Sequence, residues 1–178
     1  MLAVLFLISS FLMSGQPTWT WSVHPESGFK ILSPFTLVLK KVEIPTFEDP
    51  IVYFQYQGGS IQDSTLHLSM VIDHYKLTDE QIGGDEEHLH DFFGVTIDQI
   101  LSSVRGKLDY MDITSHSDRE VCIWRASFLE GEGILRGQLI ISGDKYYGLQ
   151  VFGLAKEKPD EMMHKFLDSF QMISSQKQ

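Results

Sequence analysis

Apolar and polar residues alternate along most of the chain, and the period lengthens to that of a helix in two places. The clearest alternation runs from Thr65 to His74. There Leu66, Leu68, Met70 and Ile72 share one side, while His67, Ser69 and Asp73 fall mostly on the other. Period two over this length predicts a strand with one buried face. Phe29–Leu32 and the stretch Phe35–Glu43 read as earlier strands, separated at Ser33-Pro34. Pro45 and Pro50 bracket a break, because proline cannot donate to a ladder, and Ile51–Gln57 follows as another strand closed by Gly58-Gly59.

The middle of the chain changes period. Ile97, Ile100, Leu101 and Val104 recur at i, i+3, i+4 and i+7, a helical stripe that stops at Gly106. Thr96 with Gln99 three residues on matches a capping box, so the pattern predicts a helix start there. A preceding turn, Glu86–Phe93, is expected to join it through a break near Gly94. Four alternating stretches then form a meander: Lys107–Ser115, Val121–Leu129, Ile134–Ser142 and Lys145–Gly153. Cys122, Trp124, Ala126 and Phe128 share one side of the second stretch and are assigned to the core, and Ser142-Gly-Asp-Lys145 is a tight hairpin signal. Pro159-Asp160-Glu161 opens a last helix, with proline suited to its first turn and acids suited to the positive end of its dipole. Met163, Phe166, Leu167 and Phe170 are its apolar stripe. The predicted fold is therefore α+β: a curved, mostly antiparallel sheet of six to seven strands with one internal and one C-terminal helix packed on it.

Composition sets limits on this picture. The 178 residues carry 14 Lys+Arg and 24 Asp+Glu, a net charge of −10, with 43% hydrophobic residues. That is enough apolar material for one core and too acidic for neutralising phosphates, so nucleic acid is not an expected partner. Leu2 to Met13 is free of charge but too short to span a bilayer comfortably, where about twenty apolar residues are needed. Residues 1–15 are expected to be a secretory signal peptide, with retention as an anchor the alternative. Residues 16–178 are expected to form a single exported, acidic, monomeric domain, periplasmic or extracellular, without a membrane span.

Three segments, in order, resemble the PsbP-like fold family. They are Ser27-Gly-Phe-Lys-Ile-Leu-Ser-Pro34, the hairpin Gly137–Gly153 with Gly143-Asp-Lys-Tyr-Tyr-Gly-Leu-Gln-Val151, and the closing Lys165-Phe-Leu-Asp-Ser-Phe170. The family includes the PsbP extrinsic subunit of photosystem II, a eukaryotic Ran-binding factor and many small exported bacterial proteins. The expected leader points to the exported bacterial branch. The resemblance implies a fold and little more, because the fold is not associated with one catalytic site.

Candidate chemistry is sparse. Asp85-Glu-Glu-His-Leu-His-Asp91 offers His88 with Asp91 at helical spacing, but His88 and His90 do not face each other. A solvated helix start explains the cluster, so neither a metal nor any other cofactor is expected. Cys122 is the single cysteine and lies on an apolar strand face, where a thiol is inert. No nucleophile elbow and no phosphate-binding glycine loop is present, so no catalytic residues are assigned. The aromatic residues Trp19, Trp21, Tyr53, Phe54 and Tyr56 are the candidate lining of a ligand or partner groove, since alternation sends Tyr53 and Phe54 to opposite faces and leaves at least one outside the core. The expected function is an exported, non-enzymatic binding module for a protein partner or a small apolar ligand. The alternative is a hydrolase or other enzyme using His, Asp and Glu from its loops.

Overall fold

The computed structural model describes residues 17–44, 50–62, 66–78, 81, 86–116 and 118–173. The expected leader, residues 1–15, Pro45 of the expected break and Asp85 of the acidic stretch lie outside the described residues. The strands are β1 (Thr20–His24), β2 (Phe29–Ser33), β3 (Val38–Ile44), β4 (Ile51–Gly59), β5 (Leu68–Lys76), β6 (Lys107–His116), β7 (Arg119–Phe128), β8 (Gly133–Ser142), β9 (Lys145–Leu154) and the short β10 (Gln171–Met172). The helices α1 (Glu86–Val104) and α2 (Asp160–Asp168) accompany them.

Seven strands pair antiparallel throughout, in the order β3-β4-β5-β9-β8-β7-β6. After β5 the chain runs through α1 to the far edge of the sheet, then returns by three hairpins until β9 lies beside β5. The last hairpin turns at Gly143, whose φ of +57° is readily available to glycine at the first central position of a two-residue loop. β9, the central strand of this order, contributes to the packed residues on both faces of the sheet and is buried along nearly its whole length.

The sheet separates two cores. On one side Leu68, Met70, Ile72, Tyr147, Leu149 and Val151 meet α2, through Met163, Phe166 and Leu167, together with a second, smaller sheet. That smaller sheet has the order β1-β2-β10 and contributes Phe29 and Ile31. On the other side Cys122, Trp124, Ala126, Leu135 and Leu139 meet α1 through Phe93, Ile97 and Leu101. Cys122 to Phe128 thus bury alternate residues on one face, in the phase the sequence predicts.

Three local readings change. Thr20–His24 reads only as an aromatic lead-in, but it is a strand whose partner is β2, so Phe29–Ser33 belongs to the smaller sheet. Ser27 holds that sheet in place: its hydroxyl bonds the Tyr56 hydroxyl at 2.7 Å, and its carbonyl accepts from Tyr147 at 2.9 Å. α1 also runs unbroken through Gly94, and Thr96 caps nothing. Its hydroxyl donates to the Phe92 carbonyl at 2.8 Å from within the helix. The stripe Leu89, Phe92, Phe93, Ile97, Ile100, Leu101 and Val104 packs continuously on the sheet, and that burial outweighs the local capping preference.

Candidate functional site

α1 packs on the helix-side face above β7, β8 and β9, and the same face is open over β4 and β5. A cleft of about 500 Å³ lies there, floored by Gln55 and Gln57 of β4, Ser69, Val71 and Asp73 of β5, and Gln150 and Phe152 of β9. Ser60, Ile61 and Gln62, just after β4, form its rim. The residues come together through register: Gln55 stands opposite Asp73, Gln57 opposite Val71, and Val71 opposite Gln150. Gln150 is therefore diagonal to Asp73, within reach of a long side chain.

Asp73 is the centre of the cleft. It is only 7% exposed, and both of its oxygens accept hydrogen bonds from neutral amides. Gln55 donates from Nε2 at 3.1 Å and Gln150 from Nε2 at 2.8 Å, and the Tyr53 hydroxyl adds a further favourable interaction with the charged form. Burial raises the Asp73 carboxyl above its ordinary 3.8, and these donors only partly offset the shift. Its charge in turn helps hold the surrounding phenols protonated. Burial first, then Asp73, pushes Tyr75 up to about 12, and the same two causes raise Tyr53 and the fully buried Tyr146.

His74 follows Asp73 in sequence and faces the opposite core. Its ring lies 4.5 Å from Tyr147 and 5.9 Å from Phe54, stacked on both, and Nδ1 bonds the Tyr146 carbonyl at 2.9 Å. Burial lowers its pKa from 6.5, as it does for His24, which packs on Phe29 and Tyr56. Asp73 and His74 therefore cannot act as a dyad, because the sheet stands between their side chains.

The five aromatic residues singled out from the sequence do not share a groove. Tyr53 alone lies on the cleft face, where its ring is 6.1 Å from Tyr75. Phe54 and Tyr56 face the other core, and Tyr56 is buried within it. Trp19 packs at the edge of that core under the Lys165 ammonium, 4.7 Å from its ring, and Trp21 is exposed on the smaller sheet with Lys30 4.8 Å above it. Strand alternation separates them. His88, His90 and Asp91 are exposed on the first turns of α1, and among the described residues no three His, Cys, Asp or Glu side chains converge. Cys122 is buried beside Trp124, its thiol pushed up to about 11 by burial and by Asp112. A second hollow, of about 370 Å³, lies on the opposite face of the sheet between Arg119, Ile140 and Phe170.

Sequence reading misses Asp73, although it puts the residue in the correct phase, opposite Leu68, Met70 and Ile72. The available signal is a set of glutamines at alternating positions in two strands, Gln55, Gln57 and Gln150. It becomes legible only when those strands are known to flank β5.

No protein-family model and no curated protein matches the chain. Among solved structures the chain is similar to cyanobacterial PsbP (CyanoP) from Synechocystis sp. PCC 6803. The likeness covers 93% of this chain and 98% of that one, with a TM-score of 0.58 and 10% sequence identity. The chain thus has a PsbP-like fold, as the sequence resemblance implies. No described helix is long and apolar enough to cross a membrane.

Proposed function

We propose that the protein is a non-enzymatic binding module, exported from the cytoplasm, that takes a small ligand into the cleft above Asp73. The observation that carries this reading is a buried carboxylate held by two neutral amide donors on the floor of an open cleft. Concave sites with a few convergent polar groups and one perturbed acid are the usual form of small-ligand sites. The lining mixes the polar side chains of Gln55, Gln57, Gln62, Gln150, Ser60 and Ser69 with the apolar ones of Ile61, Val71 and Phe152, so the expected ligand carries a polar group as well as an apolar part.

The hydrolase alternative has less support. A general base needs a free lone pair within reach of the substrate proton. Asp73 is buried and bonded through both oxygens to Gln55 and Gln150, which leaves little access for a substrate proton, and His74 lies across the sheet. Native mass spectrometry of the protein recovered from its own cell envelope tests the reading. A chain starting near Gln16 with a non-covalent small-molecule adduct is the expected result. A bare chain, or intact Met1 in the cytosolic fraction, would contradict binding or export respectively.

A further inference from the structure

We propose that the cleft above Asp73 is built for a small alkylammonium ligand, whose cationic head lies between the amide oxygens of Gln55 and Gln150 and whose stem lies along Val71, Ile61 and Phe152. This rests on the reading of the cleft as a binding site and adds the chemistry of what it holds.

Asp73 has no cationic partner among the described residues. Burying a carboxylate is costly unless a cation accompanies it. The four ion pairs among the described residues engage Glu43, Asp109, Asp144 and Asp160, and none reaches Asp73. All of its hydrogen-bonding partners are neutral. Lys40, opposite Gln55 on β3, faces the same side of the sheet, and its side chain is exposed to solvent.

Gln55 and Gln150 each present Nε2 to Asp73, so each Oε1 points away from the carboxylate as an acceptor. The upper surface of the site is therefore rich in acceptors over a negative charge. An anion is repelled there. A neutral hydroxyl can donate once but leaves the charge uncompensated. An ammonium brings three donors, no acceptor and the missing charge.

The remaining features agree. Ile61, Val71 and Phe152 give a short alkyl stem an apolar wall, and the net charge of −10 draws cations toward the molecule. A calcium ion fits less well, since calcium affinity rises with the number of charged oxygen ligands and the lining offers one carboxylate beside neutral glutamine and serine oxygens.

Calorimetric titration with 1,4-diaminobutane, alongside NMR titration of the Asp73 carboxyl carbon, tests the assignment. Wild type is expected to bind the diamine, and the Asp73 titration is expected to move to lower pH in its presence. Asp73→Asn, verified as folded by circular dichroism, is expected to bind at least about tenfold more weakly, a loss of about 1.4 kcal/mol. The neutral isostere 1,4-butanediol should not compete, and Lys40→Met should bind the diamine at least as well as wild type. Equal binding by Asp73→Asn, equal binding of the diol, displacement by stoichiometric calcium, or binding only after Lys40→Met would each overturn the ammonium assignment. A neutral or anionic adduct in the native mass spectrum, lost in Asp73→Asn, would also overturn it while leaving the binding-site reading intact. Absence of any adduct together with no diamine binding removes both.

Discussion

Asp73 and His74 are adjacent in sequence, yet burial acts on them with opposite signs. A buried carboxyl whose pKa is raised holds its proton more readily in the folded state than in the unfolded one. Its charge therefore disfavours the fold at neutral pH, and that cost fades as the pH falls through the folded pKa toward 3.8. A buried histidine with a lowered pKa does the reverse. The stability it supports is present above 6.5 and is lost as the pH falls through its folded value. For Asp73 this gives a specific expectation. Asp73→Asn removes the charge, and the Gln55 or Gln150 amide can rotate to accept from the new NH₂ group. The variant should therefore be more stable than wild type at pH 8, and the difference should shrink toward pH 4. Urea midpoints for the two proteins at both pH values measure it, and a difference independent of pH would show that charge is not the cause.

At the scale of elements, α2 shows how few residues fix a short helix in place. It is nine residues long, too short to be stable alone, so its stability comes from the face formed by Met163, Phe166 and Leu167. Phe166 is fully buried, and Phe166→Ala should cost about 3–5 kcal/mol. Lys165, one residue earlier, touches the structure chiefly through Trp19, 4.7 Å below its ammonium, so Lys165→Ala should cost no more than about 1 kcal/mol. Urea midpoints that coincide for the two variants would contradict this packing. α1 follows the same logic over a longer span, which is how a continuous apolar stripe carries it through Gly94. Within the sheet, the indole of Trp124 lies over Gly137 on the neighbouring strand, and a Cβ there would come within 2.4 Å of the ring.

For the whole molecule, the seven-stranded sheet forms one wall of both cores, so loss of the sheet removes the packing of both. β5, β8 and β9 supply Met70, Ile140 and Leu149 to one side, and β8 and β9 supply Leu135, Leu139 and Tyr146 to the other. Unfolding should therefore be a single cooperative transition. Trp124 reports on the α1 side alone once Trp19 and Trp21 are replaced by phenylalanine. Its fluorescence midpoint in urea should coincide with that of far-ultraviolet circular dichroism in the same variant. Separate midpoints would show that the two cores melt independently.

What the residues decide locally is legible in the sequence itself. The strand phases of Leu68–His74 and Cys122–Phe128, the turn at Gly143, the buried stripe of α2 and the α+β layout all follow from side-chain periodicity and turn chemistry, which act within a few residues. The cleft is not legible there, because Gln150 meets Asp73 from 77 positions away and only the pairing of β9 with β5 joins them. Alternation places Asp73 opposite Leu68, Met70 and Ile72, but does not say whether that opposite face meets water or other side chains. The pairing of Thr20–His24 with Phe29–Ser33, the continuity of α1 and the scattering of the five aromatic residues are likewise decided by tertiary packing. A strand's period assigns its residues to two faces, and what covers each face depends on elements distant in the chain.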